Sequence, residues 1–314
     1  MRGGSEISVG VPVRNEESSI AALLESLLAQ RLPSAEIVVA DGGSGDATVA
    51  VASRFADRGV RVLELGLAYP GRGRNEAIRA ALSPWIALID AGCVADPGWL
   101  EALSETARAR PEVLAVFGHY EPRLATEWDV AQALALVPAI DPATGCRPFF
   151  IASSLIHRSA WEAAGGFPEG LRAAEDLVFF ERLESAGVVT ARAPKAVVRW
   201  SLAPSPAAVF RRLRLYSRHH LLAGLFRTWH RRVLAMDAAA LALIAGSLAW
   251  PWLLLPLGLA VLTRLLRTVW SRRGAAPGSA FRPDRLLRVG VLLAIADVAA
   301  WAGLVDFLRD GSAR

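Results

Sequence analysis

Short β-branched runs that each end in an acid- or glycine-bearing loop, followed by apolar residues at helical spacing, dominate the first third of the chain and leave few folds open. "EISVGVPVRNEESSIAALLESLLAQ" gives an apolar run ending at Pro12, a polar loop, then Ile20, Leu23, Leu24, Leu27 and Leu28 on one helical face. Ser18 or Ser19 stands where a helix cap is expected. "AEIVVADGGSGDATVAVASRFA" repeats the pattern, with a glycine-rich turn at 41–45 and Asp46 as the cap. "VRVLEL" and "WIALID" supply two more strands, with a helix expected over 75–82. Such alternation predicts an α/β domain with a mostly parallel sheet covered on both faces. Asp96-Pro97 reads as the cap and first residue of the next helix. Further on, "FFIASSLIHRSAWEAAGGF" reads as a strand, a short helix and a glycine turn. "LRAAEDLVFFERLESAG" reads as a helix with Glu175 and Asp176 at its start.

The 314 residues are enough for one large domain or two modest ones. Apolar residues make up 53% of the chain, and a mean hydropathy of +0.34 exceeds the soluble norm. From Pro206 onward the chain carries 16 Arg against 5 acids, +11, so with a total of +5 the first 205 residues carry −6. A basic, apolar C-terminal third suits an anionic membrane surface. The acidic N-terminal part argues against nucleic acid as a partner. Cys93 and Cys146 do not form a close metal-ligand spacing and cannot staple a domain this large, so two reduced thiols are expected. Residues 1–6 lead directly into a strand with no apolar leader, which predicts a cytoplasmic N-terminal part.

Residues 204–232 form an arginine-laden amphipathic stretch suited to a membrane interface. Residues 233–263 then run apolar for 31 positions, broken by Pro251 and Pro256. That exceeds the ~20 residues one membrane helix needs and predicts a helical hairpin. Arg231 and Arg232 before it, with Arg264 and Arg267 after it, put both ends on the cytoplasmic side. A third apolar segment at 286–308 carries Asp297 and Asp306, which leaves open whether it spans, lies at the interface or packs Asp297 against its neighbours. The expected organisation is a catalytic domain at 1–203, an interface helix at 204–232 and a multi-pass membrane region at 233–314.

Ligands of an open parallel sheet bind beyond the carboxyl ends of its strands. The polar loops there are 12–17, 41–46, 71–75 and Asp90. Acids in such loops bind a base or ribose, glycines let the backbone approach phosphate, and Arg72 or Arg74 can neutralise a pyrophosphate. In order and spacing, "VPVRNEE", "IVVADGGSGDAT", "GRGRNEAI", "LIDAG" and "GGFPEGLRAAEDLVFFERL" resemble the family 2 glycosyltransferases of GT-A fold, over about residues 6–220. The resemblance implies a nucleotide-sugar donor, most often a UDP-sugar, and inversion at the anomeric carbon. It assigns Pro12, Arg14, Asn15 and Glu16 to the first nucleotide-binding loop and Asp41 to the base. Gly71, Arg74 and Asn75 match the helix along the diphosphate. Asp90 matches the first acid of an Asp-x-Asp motif. Glu175-Asp176 matches the acceptor-side pair, with Asp176 resembling the general base.

Gly92 occupies the place of the second metal-coordinating acid, a departure that bears on the divalent cation, magnesium or manganese, that the resemblance implies. Asp90 is the expected ligand, since such ions need only one or two carboxylates beside phosphate oxygens and water. His119, His157, His219 and His220 are not spaced for a metal or a triad and read as structural or interfacial. Arg199-Trp200 lacks the upstream Gln of the longer motif found in processive members, which favours transfer of a single sugar. Trp161 and Phe167 either shape the acceptor pocket or pack the core. The expected activity is transfer of a sugar to a lipid-linked or glycan acceptor at the cytoplasmic membrane face, with membrane lipids as partners. The alternatives are a polyprenyl-phosphate sugar synthase and a catalytically silent nucleotide-sugar-binding protein. A sugar nucleotidyltransferase is disfavoured, because no glycine-rich loop with lysine follows the first strand.

Overall fold

The computed structural model describes residues 6–226 and 230–311, which divide into two compact units. The first comprises residues 1–123 and 140–201, the second residues 124–139 and 202–314. In chain order the first unit begins β1 (Ile7–Val13), α1 (Ile20–Leu28), β2 (Glu36–Asp41), α2 (Thr48–Ser53), β3 (Val60–Glu64), α3 (Pro70–Ala80), β4 (Trp85–Leu88), β5 (Cys93–Ala95), α4 (Trp99–Ala109) and β6 (Ala115–Pro122). The helix α5 (Glu127–Leu136) belongs to the second unit. The chain then returns to the first with β7 (Ser154–His157), α6 (Arg158–Ala163), α7 (Glu175–Ser185) and β8 (Thr190–Trp200).

The eight strands form one sheet in the order β3-β2-β1-β4-β7-β6-β8-β5. Its first four strands are all parallel, while β7 runs antiparallel between β4 and β6. The β6–β8 pair is parallel and β5 closes the edge antiparallel to β8. Every residue of β1 is buried, as expected of a central strand covered on both faces. Helix α1, packed beside β5 and α2, buries Ile20, Leu23, Leu24 and Leu27 of the stripe read from the sequence and leaves Leu28 half-buried, each buried side chain contributing ~2 kcal/mol of apolar transfer.

Several local expectations change. Helix α3 begins at Pro70, not near position 75, because proline at the first helical position lets it start before Gly71 and Gly73. Ser19 sits at the N-cap of α1, but its hydroxyl bonds Glu16 rather than a helical N–H. Asp96 does not cap α4, whose cap position is Gly98; its carboxylate instead takes both Arg199 Nε at 2.8 Å and Arg199 Nη2 at 3.0 Å.

The second unit is helical. Besides α5 it holds α8 (Pro206–Leu222), α9 (His230–Ser247), α10 (Leu254–Arg272) and α11 (Pro283–Gly311). Thr126 and Asp129 form a reciprocal capping box at the start of α5. Val130 and Leu134 of α5, Val209 of α8, Val269 of α10, and Val289 and Leu292 of α11 share one core. By length and composition two helices could cross a membrane, Pro251–Ala275 and Pro283–Arg309. Among the described residues α9 is not one of them, since it carries Arg231, Arg232 and Asp237. The multi-pass arrangement expected from the sequence is therefore not supported. The two acids that made the third segment ambiguous are both paired: Asp297 with Arg264 and Asp306 with Arg214.

Candidate active site

A cleft of about 460 Å³ opens where β1, β2 and β4 end. Pro12 and Val13 at the end of β1 with residues 14–16 after it, Ala40 and Gly42 at the end of β2, Ala68, Tyr69, Pro70, Gly73 and Arg74 around the start of α3, and Asp90 and Ala91 after β4 line it, together with Arg172. The location follows from the topology, since parallel strands deliver their loops to one edge. The β1 and β2 loops are joined by hydrogen bonds: Asn15 N–H donates to Ser44 Oγ at 2.8 Å, Gly45 N–H to Asn15 Oδ1 at 2.8 Å, and Glu16 N–H to Thr48 Oγ1 at 2.7 Å. Asn15 holds a left-handed backbone (φ 55°), a conformation asparagine tolerates better than most residues.

Not every residue singled out in the sequence faces this cleft. Pro12, Arg14, Asn15, Glu16, Arg74 and Asp90 do; Gly71, Arg72 and Asn75 are not part of its lining. Asp41 is buried, and its carboxylate accepts Gly43 N–H and Ser44 N–H at 3.0 Å each and the Ser44 hydroxyl. It shapes the turn, while its neighbours Ala40 and Gly42 line the cleft. Gly71 is a close-approach glycine: a Cβ there would lie 2.2 Å from the Pro168 carbonyl oxygen. The Asn75 amide is fully engaged. Its Oδ1 accepts Trp161 Nε1–H and Phe167 N–H, and its Nδ2 donates to the Phe167 carbonyl and Glu169 Oε1. Phe167 stacks on Phe179 with centroids 3.9 Å apart, which settles it as a core residue. Arg172 and Tyr69 line the cleft and were not read from the sequence; Tyr69 had a usable signal, standing directly before the proline that opens α3.

Arg74 is the electrostatic centre. Its side chain is 3% exposed, with Nη2 2.7 Å from Asp90 Oδ1 and Nη1 2.6 Å from Glu175 Oε1. Burial works against its charge, but Asp90, Glu175 and Asp176 more than offset this and hold the guanidinium well above its usual range. Arg74 Nε and Glu175 Oε2 remain buried without a hydrogen-bond partner. The acid pair opens α7, where the helix dipole favours negative charge. Just before it Ala174 is held at φ 65°, a left-handed conformation that costs an alanine ~1 kcal/mol and here fixes the direction in which α7 leaves the loop. Burial pushes the Asp176 carboxyl up to about 6, helped by the charge of Glu175 and opposed by Arg74. At neutral pH it is a carboxylate within reach of protonation.

Asp90 and Glu16 are the two carboxylates on the cleft. Gly92 has φ 82°, so the turn after β4 is built for glycine, and a Cβ on it would lie 4.0 Å from Glu16 Oε2. Among the described residues no group of three or more His, Cys, Asp or Glu side chains is arranged to hold a metal. This donor set suits a cation held chiefly by a ligand's phosphate oxygens and water, with one or two carboxylates, and not a preformed protein cage.

The structure thus has a mostly parallel α/β sheet of GT-A type, with a cleft at its parallel edge and an acid pair joined to that cleft through Arg74. The chain matches the family model Glycosyl transferase family 2 over residues 8–143. It is similar to the succinoglycan biosynthesis protein ExoO of Rhizobium meliloti, 35% identical over 112 residues covering 35% of this chain and 32% of that protein. It is also similar to the putative glycosyltransferase EpsH of Bacillus subtilis, 34% identical over 103 residues covering 32% of this chain and 30% of that protein. The chain thus aligns with about a third of the length of these curated relatives. Among solved structures it resembles the mannosyltransferase PcManGT of Pyrobaculum calidifontis in complex with GDP-Man and Mn2+. That match has a TM-score of 0.67 at 19% identity, over 98% of this chain and 88% of that one. It also resembles residues 1–349 of S. aureus TarS in complex with UDP-GlcNAc, with a TM-score of 0.51 at 19% identity, over 68% of this chain and 66% of that one. Both likenesses establish the GT-A fold.

Proposed function

We propose that the protein is an inverting glycosyltransferase that moves one sugar from a nucleotide-sugar, with a UDP-sugar as the favoured donor, to a lipid-linked or glycan acceptor at the cytoplasmic face of the membrane. The observation that carries this reading is the buried Arg74, which holds cleft-lining Asp90 with one nitrogen and the acceptor-side Glu175 with another. Donor-loop and acceptor-loop acids are thereby fixed at one centre. Arg14 and Arg172 on the cleft supply positive charge for a diphosphate. Asp90, with Glu16 beside it, would hold the divalent cation common among GT-A enzymes. That ion supplies charge neutralisation for the departing nucleotide.

Asp176 removes the proton from the acceptor hydroxyl. The acceptor oxygen then forms its bond to the anomeric carbon as the bond to the diphosphate breaks, and the nucleoside diphosphate leaves with the electron pair from the opposite face. Glu175, tied to Arg74, positions the start of α7. The apolar second unit supports membrane association, and Arg231, Arg232, Arg264 and Arg267 favour the cytoplasmic side. Such a tether keeps the enzyme in the same two-dimensional compartment as a lipid acceptor.

The test is transfer by detergent-held protein across nucleotide-sugars, with magnesium, manganese or chelator, alongside Asp176→Asn. Transfer to a hydroxyl acceptor that disappears in the variant is the expected result. Transfer to a polyprenyl phosphate that survives Asp176→Asn would replace this reading with a polyprenyl-phosphate sugar synthase, which needs no strong base. Donor binding without turnover by either protein would leave a silent nucleotide-sugar binder.

A further inference from the structure

Residues 238–263 contain no charged side chain, and the structure divides them at the non-helical Trp250 and the short 3₁₀ turn Pro251–Leu253. The C-terminal part of α9 and the N-terminal part of α10 form the two arms. A Cβ on Gly246 would come 2.7 Å from Leu253 Cδ1, so the chain reverses tightly. Leu241, Ile244, Leu248, Trp250, Trp252, Leu254, Leu255 and Leu259 are all exposed, which leaves this tip apolar on every side. Each arm holds 13 uncharged residues, 238–250 and 251–263. At ~1.5 Å per residue that is about 20 Å, against ~30 Å of bilayer hydrocarbon.

A polar girdle marks where the uncharged arms end. Trp301 Nε1 donates to Asp237 Oδ2 at 2.7 Å, at the base of the first arm. Arg264, at the base of the second, makes a double hydrogen bond to Asp297 at 2.5 and 2.8 Å. One turn of α11 therefore touches both arms at the same level. Extending α10 far enough to cross would carry exposed Arg267 into hydrocarbon as well.

Helix α11 is long enough to span but is lined along much of its length by polar-faced helices. Near its start Arg285 makes a double hydrogen bond to Glu127 of α5 at 2.8 and 2.9 Å. Further along, Ser217 of α8 donates to the Ala300 carbonyl at 2.8 Å, and a Cβ on Gly303 would lie 2.4 Å from Ser217 Oγ. Arg214 of α8 grips Asp306. The same helix α8 exposes Arg211 and Arg212. Placing α11 across a bilayer would drag these arginines with it. Its other side carries Leu287, Val291, Val298, Trp301, Val305 and Leu308, an exposed apolar stripe at helical spacing, as in a helix lying along an interface.

From this geometry we infer that the second unit is a monotopic anchor: residues 238–263 form a re-entrant hairpin that enters one leaflet and returns, and α11 lies along the membrane surface. The occupant is a bilayer leaflet with anionic headgroups, matched by exposed Arg231, Arg232 and Arg267 beside the girdle. This rests on the membrane association proposed above.

The test uses the full chain expressed in a bacterial host, with Ser247→Cys at the hairpin tip and Ser271→Cys at the far end of α10. The native Cys93 and Cys146 are buried and leave the background low. A membrane-impermeant maleimide is applied to right-side-out and to inverted membrane vesicles, before and after detergent, and a parallel sample is washed with alkaline carbonate. The proposal requires that the protein stays in the washed pellet, that position 271 labels from the cytoplasmic face, and that position 247 labels from neither face until detergent is added. Labelling of position 247 from the outer face means that the hairpin crosses, and overturns the proposal. Its labelling from the cytoplasmic face in pelleted protein means that the tip is not embedded, which also overturns it. Release of the protein by carbonate would instead remove the membrane reading itself, and the monotopic anchor with it.

Discussion

Arg74 and Glu175, 101 positions apart in the chain, meet through a 2.6 Å hydrogen bond between side chains that are 3% and 7% exposed. Breaking a buried pair by removing one partner leaves an uncompensated charge, typically at a cost of ~3 kcal/mol or more. Arg74→Met is expected to destabilise the catalytic unit by that order, lowering its unfolding midpoint, and to abolish donor binding. Adding Glu175→Gln should recover part of the stability but none of the binding. Thermal unfolding with and without UDP checks both halves of the expectation.

As the proposed general base, Asp176 should set the pH dependence of transfer. With its carboxyl pushed up to about 6, transfer should rise with pH through about 6 and level off above it, because only the carboxylate accepts a proton. The linkage to stability has the opposite direction. A carboxyl whose folded pKa lies above its unfolded value binds its proton more tightly in the folded state, so its ionisation destabilises the fold as pH rises from about 4 to about 6, and the full penalty persists above that. Asp176→Asn is therefore expected to raise the unfolding midpoint at pH 8, to leave it nearly unchanged at pH 3.5, and to remove transfer at every pH. A midpoint that the substitution shifts equally at both pH values would contradict the raised pKa.

Much of the catalytic unit is legible in the sequence because strand, loop and helix periods there are local signals. The four parallel strands and the apolar face of α1 follow from spacing alone. What the sequence hides is which side chain of a motif is consumed by the fold. Asp41, Gly71 and Asn75 stand in the donor-side motifs, yet Asp41 closes its own turn, Gly71 admits the Pro168 carbonyl and Asn75 holds the 167–169 segment. Those partners lie up to 97 positions away, beyond any periodicity. The second unit was harder for a related reason. Hydropathy registers Asp297 and Asp306 as costs, whereas their pairing with Arg264 and Arg214 depends on three separate helices.

Gly92→Asp would restore the missing acid of the Asp-x-Asp pattern, but at φ 82° and beside Glu16. A left-handed backbone costs a non-glycine residue ~1 kcal/mol, and the added carboxylate faces like charge. The expected outcome is a less stable protein that binds manganese more tightly when UDP is present. Glu16→Gln should weaken that binding in the unaltered chain. Asp90→Asn should weaken it further. Manganese paramagnetic resonance measured with and without UDP reads all three variants, and an unchanged affinity in Asp90→Asn and Glu16→Gln would remove Asp90 and Glu16 as the cation's carboxylates.

Gly71→Ala tests whether the motif glycine acts through packing or through the ligand. The new Cβ would fall 2.2 Å from a backbone oxygen that cannot swing aside as a side-chain end would, so α3 or the 167–168 segment must move. Overpacking of this kind costs ~1–3 kcal/mol. Because α3 carries Arg74, the shift should also loosen the contacts to Asp90 and Glu175, and kcat should fall more than donor affinity. Gly170→Ala is the matched control, since nothing lies within 4 Å of its added methyl group. Equal losses of stability in the two variants would mean that the approach of Pro168 to α3 is not what position 71 provides.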